Sequence, residues 1–448
     1  MKLDRGFESL NMAEVAARLL KLKRAETTQG DDMNSAKASQ IRPHYAKAHD
    51  PIHLVRVVTR LNIGGPAIHA ILLTRELPAL GYHSILATGE YEDGEGDMSY
   101  LLDPADRVYR VPHLSRSVSP VRNLGALWGL WRLIRKERPA IVHTHTAMAG
   151  CLGRAAAILA GVPVIIHTFH GNSLRQYFSP AVSVIFLAIE RLLARRTDAI
   201  CVISPQQLDE LSSELCIAPR SKFRLVPLGL DLAPCLQLPL PAPTGTIRVG
   251  WLGRLVDVKN IGLLLETVAS VQKSNYRFQF HVAGDGPDRH LIEAALPRLA
   301  PQLVWHGWKR DIIPVLAACD LVIQTSRNEG TPVALIQGMA AGRPFLSTAV
   351  GGVVDMTSGE ARSLTGGATW FDNAVLVEPR PEAFARALAE FAASPARIPE
   401  MGQTARAFAS ARYRQEALVS NLDSLYRELL ERKLPHLAAT RPTVSTQA

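Results

Sequence analysis

No long apolar run interrupts this chain. Across 448 residues, the best candidate for a buried span, residues 181–189, stops at Glu190 and Arg191. That is well short of the ~18–20 apolar residues needed to cross a bilayer. A secretory leader is disfavoured too, because Asp4, Glu8, Glu14 and Arg18 break up the N-terminal stretch. Cysteine is scarce: Cys151, Cys201, Cys216, Cys235 and Cys319 lie far apart with no CxxC pair. Their scatter disfavours a zinc ribbon or disulfide scaffold and suits a reducing, cytoplasmic compartment. No basic recognition helix or aromatic-rich basic sheet face is evident, so no nucleic-acid partner is expected. The Gly-Gly turn at residues 62–70 does not match GxGxxG, which disfavours a dehydrogenase cofactor site.

What is present is ordinary globular composition with a mild basic excess. Hydrophobic residues make up 47% and charged residues 20% of the chain, and 50 Lys and Arg against 41 Asp and Glu leave +9. Such a balance suits an anionic ligand or a membrane surface without naming either. The length calls for more than one core. Residues 1–50 are polar and irregular apart from an amphipathic pattern at 12–23, and read as a disordered extension. From His53 apolar strand runs alternate with helical patterns ("HLVRVVTR", "HSILATG", "AIVHTHT", "VPVIIHTFHG", "AICVIS") through residue 233. A proline-rich linker, residues 234–246, follows, and the βα rhythm restarts across 247–415. A C-terminal helix at 416–433, packing back toward the first domain, and a tail at 434–448 complete the chain. The expected fold class is α/β, with two doubly wound Rossmann-like domains facing across a cleft.

The segment 326–352 concentrates the chemistry. An apolar strand run at 320–325 leads into a tight loop carrying Glu329 and Gly330, then a short helix. Thr331 suits the N-cap and Pro332 the first helical position, with Val333 next, and Gly342 and Pro344 close the helix. A helix N-terminus beside a carboxylate suits a ligand with both phosphate and hydroxyl groups, which describes a nucleotide sugar. In the loop after "GWLG", Gly253 precedes Arg254 and Lys259, two cations suited to a diphosphate, and Asn260 reads as the cap of the next helix. Gly284 and Gly286 in "AGDGP", and Gly64 and Gly65 across the cleft, permit close backbone approach to a ligand.

His143, His145, His167 and His170 end two neighbouring strands, where such residues often meet solvent. With no carboxylate or cysteine spaced among them, no metal site is expected, and His170, followed by Gly171, is best placed to touch a sugar or acceptor. The stretch 121–138 mixes basic and apolar residues. It reads either as a membrane-surface patch or as a crossover helix that buries Trp128 and Trp131. Arg175, Arg191, Arg195 and Arg196 lie farther along, around another apolar segment.

Taken together, residues 53–430 resemble a family 4 retaining glycosyltransferase of the GT-B fold. The resemblance rests on ordered motifs: Gly64–Gly65, "TFHG" at 168–171, "VIS" at 202–204, "VPLGLDL" at 226–232, "GRLVDVKN" at 253–260, "AGDGP" at 283–287 and "SRNEGTPVALIQGMAAGRP" at 326–344. It implies that the second domain holds a nucleotide diphosphate sugar, a UDP- or GDP-sugar, and the first a saccharide or lipid-linked saccharide acceptor. Arg254 and Lys259 would neutralise the diphosphate, Glu329 would meet sugar hydroxyls beside the amides of Gly330 and Thr331, and His170 would line the catalytic centre. Trp308 would lie near the base.

The resemblance further implies no cofactor and no metal, consistent with the lack of a DxD motif. It also implies work in the cytoplasm, at the inner face of the cell membrane, in polysaccharide or glycolipid synthesis. The chain departs from the family at one point. The second of the paired glutamates, at 329 + 8, is Gln337. Gln337 keeps an acceptor for the nucleotide ribose but loses the charge, and charge-assisted bonds are about twice as strong as neutral ones. A nucleotide-sugar 2-epimerase of the same architecture and a non-catalytic scaffold are the alternatives.

Overall fold

The computed structural model describes residues 51–91, 96–171, 180–243, 245–364 and 367–438. The extension at 1–50, most of the acidic run at 92–97, Arg175 and the tail beyond residue 438 lie outside these residues.

The first lobe runs β1 (Ile52–Val58), α1 (Gly65–Glu76), β2 (Tyr82–Thr88), β3 (Arg107–Arg110), α2 (Pro120–Glu137), β4 (Ile141–His145), α3 (Ala147–Ala160), β5 (Val164–Phe169), α4 (Pro180–Ala194), β6 (Ala199–Val202), α5 (Pro205–Asp209) and β7 (Phe223–Leu225). Its strands form one parallel sheet in the order β3-β2-β1-β4-β5-β6-β7. Parallel strands covered on both faces read as continuous apolar runs, and β5, VIIHTF, is buried at every position. The alternation that crossover helices require is why this half of the chain reads as βαβ at sight.

The second lobe opens with α6 (Ala233–Leu236), a single turn inside the stretch expected to be a patternless linker. Burial of Cys235 holds that turn in place. There follow β8 (Thr246–Leu252), α7 (Ile261–Val271), β9 (Arg277–Ala283), α8 (Arg289–Leu299), β10 (Leu303–Trp305), α9 (Ile313–Ala317), β11 (Leu321–Gln324), α10 (Val333–Ala340) and β12 (Phe345–Thr348). Then come β13 (Arg362–Leu364), β14 (Ala368–Trp370), β15 (Ala374–Val377), α11 (Pro381–Ala393), α12 (Arg397–Arg412), α13 (Gln415–Lys433) and the short α14 (Pro435–Ala438). The sheet order is β10-β9-β8-β11-β12-β15-β14-β13, with β14 and β13 antiparallel to their neighbours. That antiparallel edge, three residues per strand, is too short to register as a period in the sequence.

Helix α13 crosses from the second lobe to the first. Tyr82 Oη donates to Asp423 at 2.7 Å, Arg427 donates to the carbonyl of Leu80 at 3.2 Å, and Lys433 donates to the carbonyl of Pro163 at 2.7 Å. The helix therefore packs against α1 and β5 of the first lobe while belonging, by sequence, to the end of the second.

Candidate active site

In the parallel part of each sheet the strand order reverses at one point, and ligands of open α/β sheets bind outside the strand C-termini there. The first switch point lies between β1 and β4, the second between β8 and β11. The Gly64–Gly65 turn follows β1, and Thr146 follows His145 at the end of β4, where its Oγ1 lies 2.7 Å from Thr59 Oγ1. Arg254 and Lys259 follow β8, and Glu329 follows β11. Two topological positions thus collect most of the expected residues.

Glu329 is held closely. Its Oε1 accepts from Ser326 Oγ at 2.6 Å and Gln324 Nε2 at 2.7 Å, and it is ion-paired with Lys259 Nζ. All three bonds end on one oxygen, so among the described residues Oε2 keeps its acceptor capacity for a ligand. Lys259 is thus engaged by the very carboxylate expected to meet the sugar, instead of standing open beside Arg254. Opposite charges at contact in a half-dry site attract far more strongly than in water. Arg254 sits half-buried in the same connection. Gln324 and Ser326 went unremarked in the sequence. The only trace in the sequence is a glutamine closing the apolar run of β11, with a serine two residues on.

The neighbouring loops are packed backbone to backbone. A Cβ on Gly284 would lie 1.8 Å from the carbonyl oxygen of Gly253, and one on Gly286 would lie 2.4 Å from that of Leu255. These glycines are required for the turns to touch at all. A Cβ on Gly351 or Gly352 would meet the carbonyl oxygens of Glu329 or Gly330 at 1.9 Å. The turn after β12 therefore buttresses the Glu329 loop, a support absent from the sequence reading.

Helix α10 begins one residue later than expected. Pro332 is the cap position and Val333 the first helical residue, while Thr331 caps nothing. The Thr331 hydroxyl is buried without a hydrogen-bond partner among the described residues. The extended backbone of Pro332 keeps Thr331 out of N-cap geometry. Asn260 likewise occupies the cap position of α7 in the left-handed conformation, with no side-chain cap; its Oδ1 accepts from Arg327 instead. Val333 and Gln337, four residues apart, share a face of α10.

The lobes meet at this site. A Cβ on Gly65 would lie 3.3 Å from Val333, and one on Gly330 would lie 2.5 Å from the carbonyl oxygen of His170. A pocket of about 170 Å³ lies alongside, lined by Gly171 and Ser204 from one lobe and Asn328, Glu329 and Gly330 from the other. Gln206 N–H donates to Asp355 at 2.8 Å beside it. Trp308 stands farther out, edge-on to Tyr100 of the first lobe at 6.1 Å, with Arg310 4.8 Å over the Tyr100 ring.

Three of the four strand-end histidines do not meet solvent, while His170 stays partly exposed. His143, His145 and His167 are fully buried, and His69 of α1 joins them. His145 Nδ1 lies 3.1 Å from His170 Nε2, and the His69 ring stands edge-on to both. Burial, followed by neighbouring cationic charge, holds His69, His143, His145 and His167 well below the ordinary imidazole range. Burial alone pushes His170 down to about 3. All five rings are therefore neutral at working pH. Nitrogens of His69, His145 and His170 lie within 4.8 Å of one another, a set that three-histidine metal sites also use. Here two of those rings already face each other at hydrogen-bond distance, and the fully buried Arg56 guanidinium lies close enough to bias the charge of His69 and His145. The arrangement reads as a hydrogen-bonded cluster.

Two switch-point sheets joined by a crossing C-terminal helix make up the GT-B fold. The comparisons agree. Residues 64–229 match the model of the glycosyl transferase 4-like domain, and residues 246–394 that of glycosyl transferases group 1. The chain belongs to this glycosyltransferase family. It is 30% identical over 275 residues to the 2-deoxystreptamine glucosyltransferase of Streptomyces kanamyceticus, covering 55% of this chain and 70% of that one. It is 29% identical over 271 residues to the UDP-Gal:alpha-D-GlcNAc-diphosphoundecaprenol alpha-1,3-galactosyltransferase of Escherichia coli, covering 57% and 70%. Among solved structures, sucrose-phosphate synthase from Thermosynechococcus elongatus superposes with a TM-score of 0.71 at 22% identity, over 86% of this chain and all of that one.

Proposed function

We propose that this glycosyltransferase moves a hexose from a UDP-sugar to a hydroxyl of a lipid-linked saccharide, with retention of anomeric configuration, in cell-surface polysaccharide synthesis. The observation that carries the reading is the Glu329 loop, locked by Lys259, Gln324 and Ser326 and abutting His170. The donor and acceptor classes follow the names of the E. coli galactosyltransferase and the family resemblance. A GDP-sugar is the alternative donor.

Arg254 and Lys259 would stabilise negative charge on the departing diphosphate, the part a divalent ion plays elsewhere. The bond from the anomeric carbon to the β-phosphate oxygen breaks as the acceptor oxygen bonds the same face of that carbon. The acceptor proton passes to the departing phosphate oxygen. Glu329 Oε2 would accept from sugar hydroxyls, with the amides of Gly330 and Thr331 alongside, and His170 would face the sugar from the other lobe. Gly64, Gly65, Gly253, Gly284 and Gly286 would let backbone approach the nucleotide, with Trp308 toward the base. Gln337, on the same face of α10 as Val333, would take the ribose.

The acceptor's lipid would be met by a peripheral contact. No helix among the described residues is long and apolar enough to cross a membrane. Helix α2 nevertheless presents Val121, Leu124 and Trp128, exposed at 82%, 67% and 57%, with Arg132 stacked 4.7 Å over Trp128. The reading of Trp128 as a buried core residue is thereby corrected. Apolar residues rimmed by cations suit an anionic bilayer at its cytoplasmic face.

A thermal-shift panel of nucleotides and nucleotide sugars tests donor binding, since a ligand of the native state raises the melting temperature. Product NMR with a lipid-linked acceptor then reads the anomeric configuration. An inverted product, or an epimerised donor in the absence of acceptor, would refute the proposal.

A further inference from the structure

We propose that the pocket between α5 and the Glu329 loop is a saccharide subsite, which takes the acceptor ring carrying the reacting hydroxyl. The inference rests on the reading that Glu329 and His170 face the donor sugar. The pocket, about 170 Å³, borders Gly171 and Gly330, beside the point where the lobes touch at His170. Pockets for drug-sized ligands run to ~300–1,000 Å³, so this one suits a single sugar ring. Among the described residues, Val350 is the one apolar side chain in its wall. The first lobe contributes Gln206, Gln207 and Glu210, and the second Arg327, Asn328 and Glu329.

Ring hydroxyls both donate and accept, and amide and carboxylate side chains supply both halves of that exchange. An anion fits poorly. Glu210 and Glu329 bring two carboxylates, while the one guanidinium, Arg327, is ion-paired with Asp257 and donates to Asn260 at 3.4 Å. The donor diphosphate therefore belongs with Arg254 and Lys259, and an uncharged ring with this wall. The wall is fixed from both lobes. Gln206 N–H donates to Asp355 Oδ2 at 2.8 Å, across the lobe boundary. Ser204 Oγ accepts from Gln207 N–H at 3.2 Å, and Gln207 Oε1 accepts from Ile203 N–H at 3.0 Å. Gln207 is thus held in place, and Gln206 and Glu210, four residues apart, are the first-lobe side chains assigned to the sugar. At Glu210 the helix widens into a π-turn, Glu210–Glu214, a rare geometry that recurs at functional sites. The groups read as meeting the donor sugar's hydroxyls, Glu329 Oε2 and the Gly330 and Thr331 amides, all belong to the second lobe. First-lobe hydrogen-bonding groups beside them are in position for the attacking partner.

The test is saturation-transfer NMR on the full chain loaded with UDP, with GDP in a parallel arm. The probes are the methyl glycosides of glucose, galactose and N-acetylglucosamine, with methyl glucuronide as the acidic control. At least one neutral glycoside should bind, and the glucuronide should not. Gln206→Ala and Glu210→Gln should each weaken that binding about tenfold, the scale of one lost hydrogen bond. Nucleotide affinity and melting temperature should stay as in the unaltered chain. Failure of every neutral glycoside to bind at high millimolar concentration, equal binding of the glucuronide, or full affinity in both variants would each overturn the inference. Displacement of the glycoside by UDP-glucose, UDP-galactose or UDP-N-acetylglucosamine, but not by UDP, would assign the pocket to the donor's own sugar and overturn the acceptor assignment. Nucleotide binding separates this from the reading beneath. A chain that binds neither UDP nor GDP refutes the nucleotide-sugar reading and the subsite with it, whereas nucleotide binding without glycoside contact refutes only the subsite.

Discussion

Lys259 and Glu329, 70 residues apart in the chain, form an ion pair at the mouth of the second sheet. The pair joins the loop after β8 to the loop after β11, so one contact fixes the relative placement of two candidate ligand-binding segments. Lys259→Ala should lower kcat by about 10²–10³-fold, the effect of losing a preorganised charge. Glu329→Gln should do the same, and the double variant should lose less than the product of the two. Strict multiplication of the effects in steady-state kinetics would show that the residues act separately.

Arg254→Ala removes charge from the same site without breaking that pair. We expect turnover to fall several hundred-fold or more, about 3–4 kcal/mol of transition-state stabilisation. Single-turnover measurements with saturating donor would check it, and near-normal turnover would withdraw Arg254 from the site.

At Gly330 the lobes meet backbone to backbone, against the His170 carbonyl. A methyl at this position would lie 2.5 Å from that oxygen. Gly330→Ala should therefore spread the lobes locally, costing up to ~10²-fold in kcat/KM by misplacing reacting groups. Melting temperature should change less than kcat/KM, because Gly330 borders the apolar cluster of Ile203, Leu228, Leu335 and Val353 without being part of it.

The buried histidines make stability depend on acid. His69, His143, His145, His167 and His170 all titrate below the ordinary value in the folded protein, chiefly through burial. Below pH ~6.5 the unfolded chain binds protons that the folded one does not. Stability is thus fully present above that pH and is lost as pH falls toward the folded values. Each ring contributes up to ~1.4 kcal/mol per pH unit across that window. Urea unfolding between pH 7 and 5 should show this slope, and His69→Phe should flatten it by about one proton.

Membrane contact by α2 predicts salt-sensitive cosedimentation with anionic vesicles. Trp128→Glu and Leu124→Glu should each abolish it while leaving transfer to a soluble acceptor intact. Binding that survives both substitutions would move the contact elsewhere.

Much of the architecture was legible because burial on both faces forces parallel strands into apolar runs, and crossover helices space them. The chemistry-bearing loops were legible for a related reason. They stand at strand ends, and small, charged or polar residues there interrupt the pattern. The β13–β14 edge was not legible, being shorter than any period. Nor were the roles of Gln324 and His69, each of which reads in sequence as one polar residue inside an apolar element.

By itself the amino-acid order determined two βα cores, the strand after which each candidate group falls, and the family to which the chain belongs. Those follow from local periodicity and short motifs. Only the tertiary structure decided that Lys259 pairs with Glu329, that Thr331 caps nothing, that His143, His145 and His167 are dry and neutral, and that Tyr426 reaches His143. Contacts between residues tens to hundreds of positions apart depend on how the sheets stack and where α13 crosses. Desolvation, which sets the charge of those histidines, exists only once the surrounding side chains have closed over them.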